Sequence, residues 1–179
     1  MSLIEQAEPE DDRLVAKAQA GDRSAFSELV RRHQTVVYRV CYGVLGNLED
    51  AEDAAQEAFL RAYDKLCSFQ GHSSFRTWML RLAVNLSLNY RTRRKTDLPL
   101  LDGQATSDPG PEAQAIRSDD TARLHTALQQ LQPGHRAAVV LRDLEGIGFR
   151  EIGELLEVPE GTARVWAYRG RQRLKDLLA

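Results

Sequence analysis

Apolar residues recur at i, i+3, i+4 and i+7 along most of the chain, and no stretch alternates convincingly with period two, so the pattern predicts an all-α fold. A short helix is expected from about Asp12 to Ala20, stopped by Gly21. Asp22 can cap the next helix, in which Phe26, Leu29, Val30, His33, Val37, Val40, Cys41 and Val44 share a face. Gly46 ends it, and Asn47 caps a third helix that turns Ala51, Ala54, Ala55, Ala58, Phe59, Ala62 and Leu66 inward. The run Phe69-Gln-Gly-His-Ser-Ser74 reads as a turn. Ser73 or Ser74 then opens a fourth helix reaching roughly Arg94. On it, Phe75, Trp78, Met79, Leu82, Leu86 and Tyr90 form an apolar stripe, while Thr77, Arg81, Asn85 and Asn89 form a polar one.

The helical period disappears between Lys95 and Ser118, where Pro99, Pro109, Pro111, Gly103 and Gly110 mark a flexible linker. A coil of that length has a root-mean-square reach of roughly 25–29 Å and an extended limit of about 75–80 Å. A second helical set follows. Leu124, Ala127, Leu128 and Leu131 form one face, Pro133 opens the next helix, and Ala137, Val140, Leu141 and Leu144 form another. Residues 149–175 divide into a short helix, a tight turn at Glu157-Val158-Pro159 and a longer helix. Ile152, Leu155, Leu156, Ala163, Ala167, Gly170 and Leu174 face inward. The organisation is therefore an acidic extension (1–11), a helical domain (12–95), a linker (96–118) and a second helical domain (119–179).

Composition changes little at first. The chain has 179 residues, 42% hydrophobic and 28% charged, an ordinary globular balance. Its two cysteines, Cys41 and Cys67, exclude a disulfide scaffold. With no run of 18 apolar residues and no basic, apolar leader, a soluble cytoplasmic protein without membrane insertion is expected. The formal net charge of −2 argues against a nucleic-acid binder until it is read by segment. Residues 1–12 and residues 47–57 hold five acids each and no base. From Lys65 to Thr96 there are seven bases and no acid, and the last helix carries Arg164, Arg169, Arg171, Arg173 and Lys175. Two basic blocks with an acidic spacer fit two nucleic-acid contacts on one chain. The four histidines are scattered, and neither metal-ligand spacing nor a phosphate loop occurs, so neither catalysis nor a cofactor is indicated.

The last helix has the character of a major-groove reader, with Thr162, Arg164, Trp166, Tyr168, Arg169, Arg171 and Arg173 outward or at the flank. The fourth helix offers guanidinium and amide groups every four residues and ends in the Arg91, Arg93, Arg94 cluster. Before it, Phe69 and His72 flank Gly71 in a loop that could hold an unstacked base. Phe69 is expected to face out and Trp78 mostly in. An autonomous helix-turn-helix regulator would explain the C-terminus, yet would leave the acidic third helix and the basic, aromatic fourth helix without purpose.

The segments GDxxAFxELVxRHxxxVYRV, GNxEDAEDAAQEAFLRAY and FxGxSSFRTWxLRLAxNLxLNYxRR, then a linker and a helix-turn-helix, resemble bacterial sigma factors, most of all the small extracytoplasmic-function class that keeps regions two and four. The resemblance implies a transcription initiation factor that binds core RNA polymerase, touching the β′ clamp helices and the β subunit, and directs it to promoter DNA. It assigns polymerase docking to Asp50, Asp53, Gln56 and Glu57. It assigns recognition and opening of the minus-ten element to Phe69, His72, Ser73, Arg76, Arg81, Asn85, Asn89, Arg91, Arg93 and Arg94. Reading of the minus-thirty-five element falls to the last helix. An anti-sigma factor is an implied partner. The chain departs from the family pattern at Gly153 (usually Ala), Glu157 (usually Gly), Ala163 (usually Val) and Trp166 (usually basic), which points to an unusual upstream specificity centred on Trp166.

Overall fold

The computed structural model describes residues 3–97 and 119–179, with side chains at 10–90 and 122–179. Among the described residues there are eight α-helices and no strand. They are α1 (Leu3–Gln19), α2 (Arg23–Leu45), α3 (Leu48–Lys65), α4 (Phe75–Asp97), α5 (Asp119–Gln129), α6 (Pro133–Val139), α7 (Phe149–Leu156) and α8 (Glu160–Leu178). A 3₁₀ turn, Leu66–Ser68, follows α3, and a π turn, Val140–Leu144, follows α6. Apart from Thr96 and Asp97, which continue α4, the expected linker lies outside the described residues.

Local chemistry sets most boundaries. Asp22 caps α2 by accepting the backbone N–H groups of Ser24 and Ala25, at 2.9 and 3.3 Å. Gly46 closes α2 in the left-handed conformation, φ 81°, which an L side chain rarely adopts. Asn47 caps α3, and Pro133 sits in the first turn of α6. Ser74 begins α4, its hydroxyl accepting the Thr77 N–H at 3.2 Å. One expectation fails at the N-terminus: α1 starts at Leu3 rather than Asp12 and takes in the acidic run. Asp11 explains part of this, because it is buried, hydrogen-bonds with the His33 ring at 2.7 Å and ion-pairs with Arg32 at 3.2 Å. An acid that anchors α1 to α2 stabilises helix where an exposed one would not.

Helices α1–α4 enclose one core. Ala51, Ala54, Ala58 and Ala62 of α3 are fully buried, and their small side chains let α3 lie close against α2 and α4. Met79, Ala83 and Leu86 face that core from α4. A second core gathers α5–α8 and is completed by Val40 of α2 and Leu80 and Val84 of α4, all fully buried. So α4 carries apolar faces on two sides, of which the sequence pattern had shown one. From Arg136 in α6 to Leu141 in the π turn every residue is buried, as expected of a segment wrapped by neighbours. The π turn after it adds a residue to the turn and shifts the register. Leu144, expected on the inner face, is consequently half exposed, at 50%.

Candidate binding surfaces

The acidic surface is built on α3. Asn47 Oδ1 accepts the Asp50 N–H at 3.0 Å while its Nδ2 donates to the Asp50 carboxylate, also at 3.0 Å. This ties Asp50 to the positive end of the helix. Glu57 pairs with Arg61 one turn on. Tyr90 of α4 donates its hydroxyl to Glu57, and its pKa is raised by partial burial first and then by the charges of Glu57, Asp53 and Asp50. Asp53 and Gln56 are exposed. Glu52 and Gln56 edge a groove of about 420 Å³ between α2 and α3, floored by Val30, Tyr38, Ala55 and Phe59. Leu60, 67% exposed, and Tyr63 continue the face at helical spacing from Gln56. The arrangement is acid beside uncovered apolar surface, suited to a basic, amphipathic partner. Sequence reasoning found the acids and missed Leu60 and Tyr63, whose signal was apolar residues off the alanine stripe.

The second surface joins the loop 69–74 to α4. Gln19 of α1 donates to the carbonyls of Leu66 and Phe69, each at 2.9 Å, and pins the base of the loop. Phe69 does not face out. It is half-buried, with its ring 4.9 Å from that of Trp78 and 6.2 Å from that of Phe75, because these two rings offer it an apolar seat. His72 is exposed at the tip, its Nε2 2.9 Å from Gln70 Oε1. Ser73, Arg76 and Thr77 line a polar cleft of about 510 Å³ whose far wall is Gly148, Arg150, Glu151 and Glu154 of the second helical set. Arg81 and Asn85 are partly buried and Asn89 is exposed. Arg91, Arg93 and Arg94 lie on the last turns of α4, and their side chains fall outside the described residues.

The third surface is α8. Ala163, Ala167, Gly170 and Leu174 are buried as expected. A Cβ at Gly170 would come within 2.6 Å of Val139 and 3.1 Å of the His135 carbonyl, so glycine lets α8 cross α6 closely. Trp166 takes the flank position, its ring over Gly134, where a Cβ would stand 2.6 Å from it. Outward lie Arg164, Tyr168, Arg169, Arg171 and Arg173, with Thr162 partly buried. Arg164 lies over the Phe149 ring at 4.8 Å and pairs with Glu160 at 2.7 Å. Arg171 is held by both oxygens of Asp143, at 2.7 and 2.8 Å. Val165, which was not among the expected contacts, is 45% exposed and adds an apolar group to the outer face. His135 is held below its ordinary pKa by burial and then by the charge of Arg169.

The turn between α7 and α8 explains two of the departures. Glu157 is left-handed, φ 56° and ψ 42°, at a cost of about 1–2 kcal/mol for a residue with a Cβ. The Val158 carbonyl then passes so near Gly153 that a Cβ there would be 2.7 Å from it. Glu157→Gly is therefore expected to raise stability by up to about 1 kcal/mol, the strain relieved less the entropy that glycine adds. Gly153→Ala is expected to lower it by about 1–3 kcal/mol, overpacking outweighing helix propensity. Urea unfolding of both variants checks this, and a stabilised Gly153→Ala protein would contradict the crowding at Val158.

Residues 29–96 match the family model of Sigma-70 region 2, and residues 121–174 match that of Sigma-70, region 4. Over 92% of its length the chain is 31% identical to the ECF RNA polymerase sigma factor SigW of Bacillus subtilis, covering 94% of that protein. It is 33% identical to the RNA polymerase sigma-H factor of Pseudomonas aeruginosa, covering 94% of each chain. The solved structure of CnrH in complex with the cytosolic domain of CnrY superposes with a TM-score of 0.72 at 26% identity, over 94% of this chain and 96% of that one. The chain belongs to the sigma-70 family of transcription initiation factors, in its extracytoplasmic-function class. As such it directs RNA polymerase to promoters. No described helix is long and apolar enough to cross a membrane.

Proposed function

We propose that the three surfaces divide the work of initiation. The α3 face, with Asp50, Asp53, Gln56 and Glu57, docks on the β′ clamp helices of core polymerase. The loop 69–74 with Arg76, Arg81, Asn85, Asn89 and the basic end of α4 recognises and opens the minus-ten element. The outer face of α8 reads the minus-thirty-five element, with Arg169, Arg171 and Arg173 on phosphate and Thr162, Val165 and Tyr168 toward base edges. Trp166, seated on α6, orients that helix. The chain acts by binding, and an anti-sigma factor holds it when it is not needed. CnrH, the structural relative, was itself solved bound to a protein partner.

The observation that supports this reading best is the segregation of charge onto different faces: exposed acid beside an apolar groove on α3, and arginine on α4 and α8. Asp53→Arg with Gln56→Arg tests it, since both side chains are exposed and such changes rarely move stability by more than about 0.5 kcal/mol. Core-polymerase binding is expected to weaken at least tenfold, and run-off transcription to fall with it, while the thermal unfolding curve stays in place. Undiminished core binding would overturn the docking assignment. Failure of the unaltered chain to support initiation with bound core would overturn the whole division of labour.

A further inference from the structure

Helix α8 carries two lines of residues at one spacing. Ala163, Ala167, Gly170 and Leu174 form the buried seam. Gly161, Val165, Tyr168 and Gln172 repeat that spacing two residues earlier, and two residues are about 200° of helical turn. They are therefore the crest of the helix, opposite the seam, and all four are exposed. None of them is charged. Val165 is 45% exposed and Tyr168 62%, so the crest leaves a valine and a phenol ring to solvent. A Cβ at Gly161 would meet nothing within 4 Å, so internal packing does not call for glycine there. Glycine costs the helix stability, and what it offers in return is close approach of another molecule to the backbone.

The arginines stand on the flanks. Arg164 and Arg171 share one side and are drawn toward the body of the protein, Arg164 over the Phe149 ring and Arg171 onto both oxygens of Asp143. Arg169 and Arg173 lie exposed on the other side. Trp166 is off the crest, its ring over Gly134. A helix laid in the major groove sends its flanks to the phosphate walls and its crest to the base edges. Most groups on those edges are polar, and an apolar side chain would strip them of water without replacing the hydrogen bonds. The C5-methyl of thymine is the apolar group among them. Val165 and Tyr168 are separated by about 4.5 Å of helical rise, near the step of about 3.4 Å between base pairs, so they face neighbouring pairs. We propose that Val165 and Tyr168 read the methyl groups of adjacent thymines in the minus-thirty-five element, with Gly161 letting the crest sink to that depth. This rests on the assignment of α8 to that element made above. Upstream specificity then centres on the two neighbours of Trp166 along the crest rather than on the indole.

Deleting the methyl groups from the DNA tests it. Holoenzyme assembled from the full-length chain and core polymerase first selects promoters from a duplex library randomised in the upstream element. A selected promoter is then made with deoxyuridine for thymidine in that element alone, which removes the methyls and keeps every hydrogen-bonding group of the bases. Uracil is expected to weaken holoenzyme binding roughly fourfold for each methyl that the crest buries. Val165→Ala with Tyr168→Ala, both on exposed positions, is expected to abolish most of that penalty while the thermal unfolding curve stays in place. Arg173→Ala is the contrasting arm: it is expected to weaken binding to both duplexes alike and to flatten the salt dependence, leaving the uracil penalty as it was. Equal binding of the uracil and thymine promoters would overturn methyl reading and leave α8 as the upstream reader. A penalty that survives in the doubly substituted protein would overturn the role of Val165 and Tyr168. A selection that returns no preferred upstream sequence would instead overturn the assignment of α8 on which the proposal rests.

Discussion

Replacing Arg136 with leucine is expected to cost the protein about 3–5 kcal/mol, because buried carbonyls lose their donor at about 1–3 kcal/mol each. Arg136 is fully buried, and among the described residues its hydrogen-bond partners are backbone carbonyls and the Gln129 side chain rather than a carboxylate. Its Nε donates to the Leu128 carbonyl at 2.6 Å, Nη1 to the Val44 carbonyl at 2.7 Å and the Gln129 side chain at 2.6 Å, and Nη2 to the carbonyls of Gln129 and Leu131. These carbonyls cluster where α5 ends and where α2 ends, at the negative poles of two helices. The guanidinium therefore caps two helices at once and ties the second set to the first through Val44. Leucine matches much of the volume and none of the bonds, so several carbonyls would stay dry and unpaired, each at about 1–3 kcal/mol before relaxation. Arg136→Lys keeps the charge without the planar fork and is expected to recover less than half of the loss. Urea denaturation measures both, and a leucine variant as stable as the parent would show that the carbonyls find water instead.

Phe75→Ala is expected to cost a similar amount, about 3–5 kcal/mol, through the lost ring and the cavity left behind. The ring is 1% exposed and meets His33 at 5.4 Å, Trp78 at 5.8 Å and Phe69 at 6.2 Å between centroids. Its neighbours lend it a second importance. Phe69 belongs to the loop and Trp78 to the first turn of α4, so the ring holds the minus-ten loop against the helix. His33, on its other side, is fixed by the buried Asp11. Phe75→Leu separates the two effects. It is expected to keep stability within about 1.5 kcal/mol while loosening Phe69, so promoter opening, read by permanganate reactivity of melted thymines, should fall several-fold at a temperature where both proteins are folded. If the leucine variant opens promoters normally, the aromatic cluster serves the core alone.

What could be read from the chain follows from the range over which each signal acts. The caps at Asp22, Asn47 and Pro133, the left-handed Gly46 and the inner faces of α3 and α8 depend on neighbours a few residues away, and all appear as expected. Glu157, where the family pattern has Gly, indeed sits in a left-handed turn. The features that escaped depend on distant partners. Leu80 and Val84 sit off the main stripe of α4, and only the docked second set gives them a reason to be apolar. Leu144 was misplaced because the π turn before it breaks the period used to place it. Arg136 was not singled out, although its place just before Ala-Ala-Val-Val-Leu was a sign of burial. Phe69 turned inward for partners on another element. Of the binding surfaces, the residue types were legible and their pairing was not: Arg164, Arg171 and Glu57 already hold partners within the chain.

That internal pairing bears on how the protein moves through a cell full of DNA. An arginine already matched to a carboxylate, as Arg171 is to Asp143, must exchange that partner for a phosphate rather than simply add one. The exchange releases fewer counterions and yields less of the sequence-blind attraction that holds basic proteins to any duplex. A chain built this way is expected to hold non-specific duplex weakly, with a shallow dependence of binding on salt. On α8, Arg164 and Arg171 stay paired with the chain's own acids until a phosphate displaces them.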